Sequence, residues 1–190
     1  MVLKPTIGFA LSGSFCTFEK AICAMQELTH SYEIVPILSQ TSFQTDTRFG
    51  SSEDFIRRIE DICSHQCLHT LQDVEPFGPK KMLELLIVAP CTGNTIGKLA
   101  NGIADSPVSF AVKAHLRNAK PVVLALSTND GLSGSAENIG RLLNRRHYYF
   151  VPFSQDDPTG KPFSLVAHFE LLPQTVSFAM MKQQLQPILA

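Results

Sequence analysis

Short apolar runs alternate along this chain with segments whose apolar positions recur every three or four residues, the marks of buried strands and amphipathic helices. The runs at Thr6–Leu11, Tyr32–Ser39, Leu85–Ala89, Lys120–Ser127 and Tyr148–Phe153 predict strands. Helical spacing falls at Phe18–Thr29, where Phe18, Ala21, Ile22, Met25 and Leu28 form a stripe, and at Ser52–Cys67, striped by Phe55, Ile56, Ile59 and Ile62. Further helices are predicted at Asn94–Asn101, Ser109–Arg117 and Ser135–Arg145, and a terminal one at Val176–Gln186, within a C-terminal segment 174–190. The polar stretch Ser154–Ser164, "SQDDPTGKPFS", reads as a loop or flap. Strands alternating with helices imply a parallel sheet covered on both faces, hence a doubly wound, flavodoxin-like or Rossmann-like α/β fold. The 190 residues suit one domain, and no internal repeat is visible.

In such a sheet, ligands bind beyond the carboxyl ends of the strands. Those ends share a character here. The first runs into Ser12-Gly13-Ser14, the second into Ser39-Gln40-Thr41-Ser42, the third into Pro90-Cys91-Thr92-Gly93-Asn94-Thr95, the fourth into Ser127-Thr128-Asn129-Asp130-Gly131. Two readings compete for these small polar residues. Each turn can be ordinary helix-cap chemistry. Taken together, hydroxyls and free N–H groups on one sheet edge suit a phosphorylated cofactor, with Gly93 leaving room for a ligand. Neither G-x-G-x-x-G nor a P-loop occurs.

Composition narrows the partners. Net charge is −1, with 44% hydrophobic and 17% charged residues, so no cationic block addresses nucleic acid. No run approaches the roughly 18 apolar residues of a membrane helix, and the start lacks a signal-type apolar region, so a cytoplasmic protein with no membrane partner is expected. An odd count of 5 cysteines argues against a disulfide framework. Cys63, His65, Cys67 and His69 form C-x-H-x-C-x-H, but a helix would put the cysteines and histidines on different faces, so no metal is expected. Cys91 reads as a buried small residue or as a thiol activated at a helix N-terminus. His168, after the flap, and Asp105, before a helix, are further candidates; Asp105 reads first as a cap.

The segment "APCTGNTIGKLANGIAD" resembles the flavoprotein family that includes the cysteine decarboxylases of coenzyme A and lantibiotic synthesis, with its P-A-S-A-N-T-x-x-K-x-A-x-G-x-A-D signature. Pro90, Asn94, Thr95, Lys98, Ala100, Gly102, Ala104 and Asp105 match it. The stretches "GFALSGSFCTFEKA", "VEPFGPKK", "KPVVLALSTND", "YYFVPFSQDDP" and "KPFSLVAHFELL" are similar to one branch of that family, the second subunits of an NADP-linked synthase of spore-forming bacteria. The resemblance implies FMN, its phosphate near Gly13, Ser14 and the Ser39–Thr41 turn. The ring would lie near Thr92, Asn94 and Thr95, with Ser127, Thr128 and Asn129 closing the site; Pro90 and Gly93 count among the cofactor-binding residues. It also implies a separate first subunit of the same synthase, together with a small dicarboxylate substrate oxidised with NADP, a homo-oligomer, and a place in the mother-cell cytoplasm.

Departures from the pattern matter too. Where the decarboxylases carry a catalytic His ahead of the signature, alignment without a gap puts Pro76, and their P-x-M-N-x-x-M-W segment has become "ALSTNDGL". An independent FMN-dependent decarboxylase is thereby disfavoured, whereas a non-catalytic scaffold that stabilises the first subunit stays open. No catalytic residue is assigned. Cations for two carboxylates are sought at Lys98, Lys113, Arg117 and Lys161.

Overall fold

The computed structural model describes residues 4–190. Among the described residues, seven strands form one sheet: β1 (Thr6–Leu11), β2 (Glu33–Leu38), β3 (Leu85–Cys91), β4 (Val122–Thr128), β5 (Tyr148–Phe150), β6 (Phe153–Asp157) and β7 (Lys161–Ala167). The α-helices are α1 (Phe18–Leu28), α2 (Gln40–Gln44), α3 (Ser52–Cys63), α4 (Leu71–Val74), α5 (Gly93–Ala100), α6 (Pro107–Leu116), α7 (Ala136–Leu143) and α8 (Leu172–Met180). β2, β1, β3 and β4 lie side by side and parallel. Every residue of β3 and β4 is buried, as the unbroken apolar runs of a doubly covered parallel strand require. α1 packs with α3 and α8, while α5 packs with α6 and α7, and α4 with α6. The fold is the doubly wound, flavodoxin-like α/β architecture that the pattern implies.

Four segments differ from the sequence expectation. The helix expected over Ser52–Cys67 ends at Cys63, where Ser64 takes left-handed backbone at φ 55°, so Cys67 and His69 lie beyond it. β3 does not stop before Pro90 but continues through it to Cys91. The Pro90 carbonyl accepts from the Ser12 backbone N–H at 3.2 Å and from Ser12 Oγ at 2.8 Å, so the strand end stays paired although proline donates nothing. The Ser154–Ser164 flap is instead the heart of a hairpin, β6 and β7, with a turn in which Asp157 Oδ1 accepts from the backbone of Thr159 and Gly160. Apolar Phe153, Leu165 and Ala167 are buried on one side of it, an alternation too short and too polar at the turn to read from sequence. The terminal helix ends at Met180 rather than near Gln186. Beyond it Gln184 donates to the Phe150 carbonyl at 2.7 Å and accepts from the Phe150 N–H at 2.8 Å, and Phe153 N–H donates to Ile188 O at 3.0 Å. Open strand edges take up this segment, which outcompetes a helix continued to Gln186.

β4 has two partners on its outer edge. Its first half, Val122–Leu124, pairs in parallel with β5, and its last two residues, Ser127 and Thr128, pair antiparallel with Val166 and Leu165 of β7. The hairpin therefore stands over the carboxyl end of the sheet.

Within α6, His115 is fully buried. One ring nitrogen, Nε2, lies 3.0 Å from the Pro121 carbonyl, and Nδ1 has no partner among the described residues. Burial pushes its pKa down to about 4, the Lys120 charge adding to the effect and the Pro121 contact opposing it. A histidine lowered in the folded state binds its proton first in the unfolded chain, so its neutral form stabilises fully above pH ~6.5 and loses that contribution as pH falls towards ~4. Urea unfolding should lose about 3 kcal/mol from this group across that window. In His115→Phe this component of the pH dependence should vanish; an equally steep loss in the variant would contradict the assignment.

Candidate functional site

Three of the four strand-end turns, those after β1, β3 and β4, are tied to one another. Ser12 Oγ accepts from the Thr92 backbone N–H at 3.1 Å while donating to Pro90 O, which clamps the β1 turn to the β3 turn. Ser14 Oγ and Ser127 Oγ are 2.7 Å apart, and Thr17 Oγ1 lies 3.1 Å from Ser127 Oγ, which clamps the β1 turn to the end of β4. Thr92 caps α5, its Oγ1 accepting from Thr95 N–H at 3.3 Å. Much of the hydroxyl chemistry visible in the sequence is thus capping and clamping.

Around this knot lies a cleft of about 750 Å³, within the usual range for small-molecule sites. Gly13 and Ser14 line it from the β1 turn, Thr92, Gly93 and Asn94 from the start of α5, and Ser127, Thr128 and Asn129 from the end of β4. The hairpin, paired to the end of β4, extends the lining with Lys161, Ser164, Leu165 and Val166. Ser39, Thr41, Pro90 and Thr95 are not on its surface. Ser39 caps α2, Thr41 sits behind Gly13, Pro90 is buried within β3, and Thr95 is buried against Thr92.

Gly93 has a specific reason to be glycine. A Cβ there would fall 2.7 Å from each of Asp130 Oδ1, Ser135 Oγ and Thr128 Oγ1. Ser135 Oγ donates to Asp130 Oδ1 at 2.9 Å, and Thr128 Oγ1 donates to the same oxygen. The protein's own carboxylate therefore occupies the space at the N-terminus of α5, where the helix dipole favours negative charge. That end of the cleft disfavours a second anion and suits a neutral or planar group. Asp130 also lines the cleft, a feature the sequence reading passed over as turn chemistry.

Other polar groups are spare. The side chains of Asn94, Asn129, Lys20 and Arg48 line the cleft and make no side-chain hydrogen bond or ion pair to a described residue. Lys20 and Arg48 were missed in the sequence, because Lys20 lies on an ordinary helix pattern and Arg48 in a segment without a predicted element. Of the cations singled out there, only Lys161 reaches the cleft, paired to Asp156 at 2.6 Å. Lys98 is held by Asp105 at 2.7 Å, a bond that keeps the Asp105 carboxyl below the usual range. Lys113 and Arg117 do not line the cleft. Asp105 does not cap α6; Ser106 does, in a capping box with Ser109.

The remaining candidates separate cleanly. Cys91 is fully buried and burial raises its thiol pKa, which makes a thiolate nucleophile unfavourable. Cys63 and Cys67 are likewise buried and pushed up to about 12. His65 instead faces Glu33 at 3.0 Å, and His69 stacks on Phe43 with ring centroids 3.7 Å apart. His168 stands off the cleft, with Nε2 2.9 Å from Ser154 Oγ and Nδ1 3.3 Å from Glu170. No described helix is long and apolar enough to cross a membrane.

Residues 1–160 match the family model described as Flavoprotein. The second (B-type) subunit of dipicolinate synthase from Bacillus subtilis (strain 168) is 45% identical over 184 residues, spanning 96% of this chain and 92% of that protein. A crystal structure of the corresponding dipicolinate synthase subunit from Bacillus halodurans C superposes with a TM-score of 0.91 at 42% identity, covering 99% of this chain and 97% of that one. The FMN-dependent cysteine decarboxylase SpaF shares the fold alone, with a TM-score of 0.67 at 18% identity, covering 95% of this chain and 97% of its own.

The Gly93 geometry is open to a direct test by urea unfolding. Gly93→Ala should cost about 1–3 kcal/mol, because the Asp130 cluster must move. Gly97→Ala on the same helix, whose added Cβ meets only Asn138 Nδ2 at 3.7 Å, should gain roughly 0.5–1 kcal/mol. Equal gains for both variants would show that the cluster yields freely.

Proposed function

The chain belongs to the Flavoprotein family, and from that premise we propose that it acts as the second subunit of a dipicolinate synthase with FMN in the strand-end cleft. Together with the separate first subunit of that enzyme it oxidises dihydrodipicolinate, or its hydrated precursor, to dipicolinate during sporulation, with NADP as the final electron acceptor. The observation that carries this reading is the set of spare polar side chains around one cleft: Asn94, Asn129, Lys20 and Arg48.

The cleft suits FMN in its donor set. Asn94 and Asn129 supply amides for the edge of a planar ring, and the hydroxyl-rich β1 turn at Gly13 and Ser14 faces the same space. FMN, when bound, supplies a two-electron acceptor next to the substrate. The chain's own residues then position the substrate and handle its proton. Aromatising the dihydropyridine ring removes one hydrogen with two electrons, as a hydride that ends on NADP, and a second hydrogen as a proton. Asp130 lines the cleft and its Oδ2 is not taken by Thr128 or Ser135, which supports it, rather than the Lys161-paired Asp156, as the group that accepts that proton.

A second reading has one observation in its favour. The bonds among Ser14, Thr17 and Ser127 already satisfy several hydroxyls without a ligand. A scaffold that only stabilises the first subunit would keep such a knot.

Purification of the chain alone and with the first subunit, followed by an absorbance spectrum and FMN titration, separates the two. A bound flavin spectrum is expected, and Asn94→Ala should weaken FMN about tenfold while His168→Ala, off the cleft, changes it less than about twofold. Protein that stays colourless with added FMN, both alone and in the complex, supports the scaffold; the reverse ranking of the two variants moves the site to the hairpin base.

A further inference from the structure

Lys20 and Arg48 enter the cleft from two different segments, and the acidic residue beside each is committed elsewhere. Glu19 is the sequence neighbour of Lys20, but both of its oxygens accept from Arg58 Nη1 at 2.7 Å, which ties α1 to α3. Asp46 is close in sequence to Arg48, but its Oδ1 accepts from the Ser52 backbone N–H at 2.8 Å and from Ser52 Oγ at 3.0 Å at the start of α3. Those bonds hold the Asp46 carboxyl below its usual range, so it stays ionised and in place. Neither carboxylate is therefore left to neutralise the cation next to it. The third cation of the cleft, Lys161, is cancelled by Asp156.

Arg48 is also held still. It sits in a tight turn in which Thr47 N–H donates to Gly50 O at 3.0 Å and Gly50 N–H donates back to Thr47 O at 3.1 Å. Its guanidinium lies 4.9 Å from the centroid of the Phe49 ring. The turn is seated on the core, since a Cβ on Gly50, at φ +148°, would come within 2.9 Å of Phe55. A guanidinium stacked on an aromatic face keeps its in-plane N–H fork free for a planar oxyanion. The cleft lining thus holds two uncompensated cations, Lys20 and Arg48, besides the Asp130 carboxylate.

We infer that Lys20 and Arg48 form an oxyanion-binding rim that fixes the orientation of the ligand in this cleft. The inference rests on the functional reading above and deepens it. The oxyanion is a carboxylate of the dicarboxylate substrate or the phosphate monoester of the cofactor, and in either case Arg48 grips it while Lys20 adds charge. Both side chains are exposed and unpaired among the described residues, so their removal leaves the fold intact.

The test measures binding of three probes to the full-length chain: FMN, riboflavin (which lacks the phosphate) and pyridine-2,6-dicarboxylate. Wild type is compared with Arg48→Gln, Arg48→Lys and Lys20→Gln, with unchanged melting temperatures as the folding control. Loss of one charged hydrogen-bonding partner is expected to weaken the gripped probe about ten- to hundredfold in Arg48→Gln, with partial recovery in Arg48→Lys. Weaker FMN with unchanged riboflavin assigns the rim to the phosphate. A weaker dicarboxylate with unchanged FMN assigns it to the substrate. Wild type and variants that bind FMN and the dicarboxylate equally overturn the rim while leaving the functional reading in place. Arg48-dependent dicarboxylate binding without any FMN binding keeps the rim and overturns the flavin. A wild type that binds none of the three probes overturns both.

Discussion

The outer edge of β4 is divided between two partners, and the rest of the site depends on that division. A parallel partner along its full length would leave the carboxyl end of the sheet open, as in a plain doubly wound fold. Here β5 pairs only with Val122–Leu124. The unpaired groups of Ser127 and Thr128 are taken by β7 running the opposite way, and Ser164 Oγ adds a bond to Thr128 O at 3.2 Å. Leaving those backbone groups unpaired in a buried setting would cost about 1–3 kcal/mol each, so the hairpin is anchored rather than loosely draped. Gly131 shows how close the fit is: a Cβ there would lie 2.6 Å from Leu165 Cγ. This anchoring turns a shallow strand-end crevice into a cleft with two walls.

The chemistry of the cleft follows from which polar groups are consumed in building it. Ser12, Ser14, Thr17, Thr92 and Ser127 are spent on holding the turns together. Asp130 is spent in part on Thr128 and Ser135, and it places negative charge where α5 most stabilises it. What remains in the lining are the amides of Asn94 and Asn129 and the cations Lys20 and Arg48. A site with these groups left over favours a ligand that combines a planar, hydrogen-bonding portion with an oxyanion.

The sheet and its order of helices were legible because buried parallel strands leave continuous apolar runs, and five of them stood clear of polar flanks. The strand-end turns were legible for a related reason, since Gly13, Ser14, Thr92, Gly93, Asn94 and Ser127–Asn129 all follow directly from such runs and all reach the cleft. Ser39, Thr41 and Thr95 carry the same residue types, and Pro90 adjoins them, yet all four face caps or the core, because residue type does not tell which way a turn points. The hairpin was hidden by its polar turn and by Pro158 and Pro162, which read as loop. Arg48 was hidden because its place depends on Gly50 packing against Phe55, a contact without a local signal. The role of Gly93 was half visible: the need for a small residue could be read, but the carboxylate that imposes it lies on another strand end.

Hydrogen exchange followed by mass spectrometry, with and without saturating FMN, tests the central claim that this cleft is the ligand site. FMN is expected to slow exchange in residues 13–17, 92–94, 127–130 and 164–166, with no change around Gln40, Phe43, Gln44, His69–Leu71, Asp105 and Pro107, which line a second, smaller cleft. Protection confined to that second cleft, or found in neither, would contradict it.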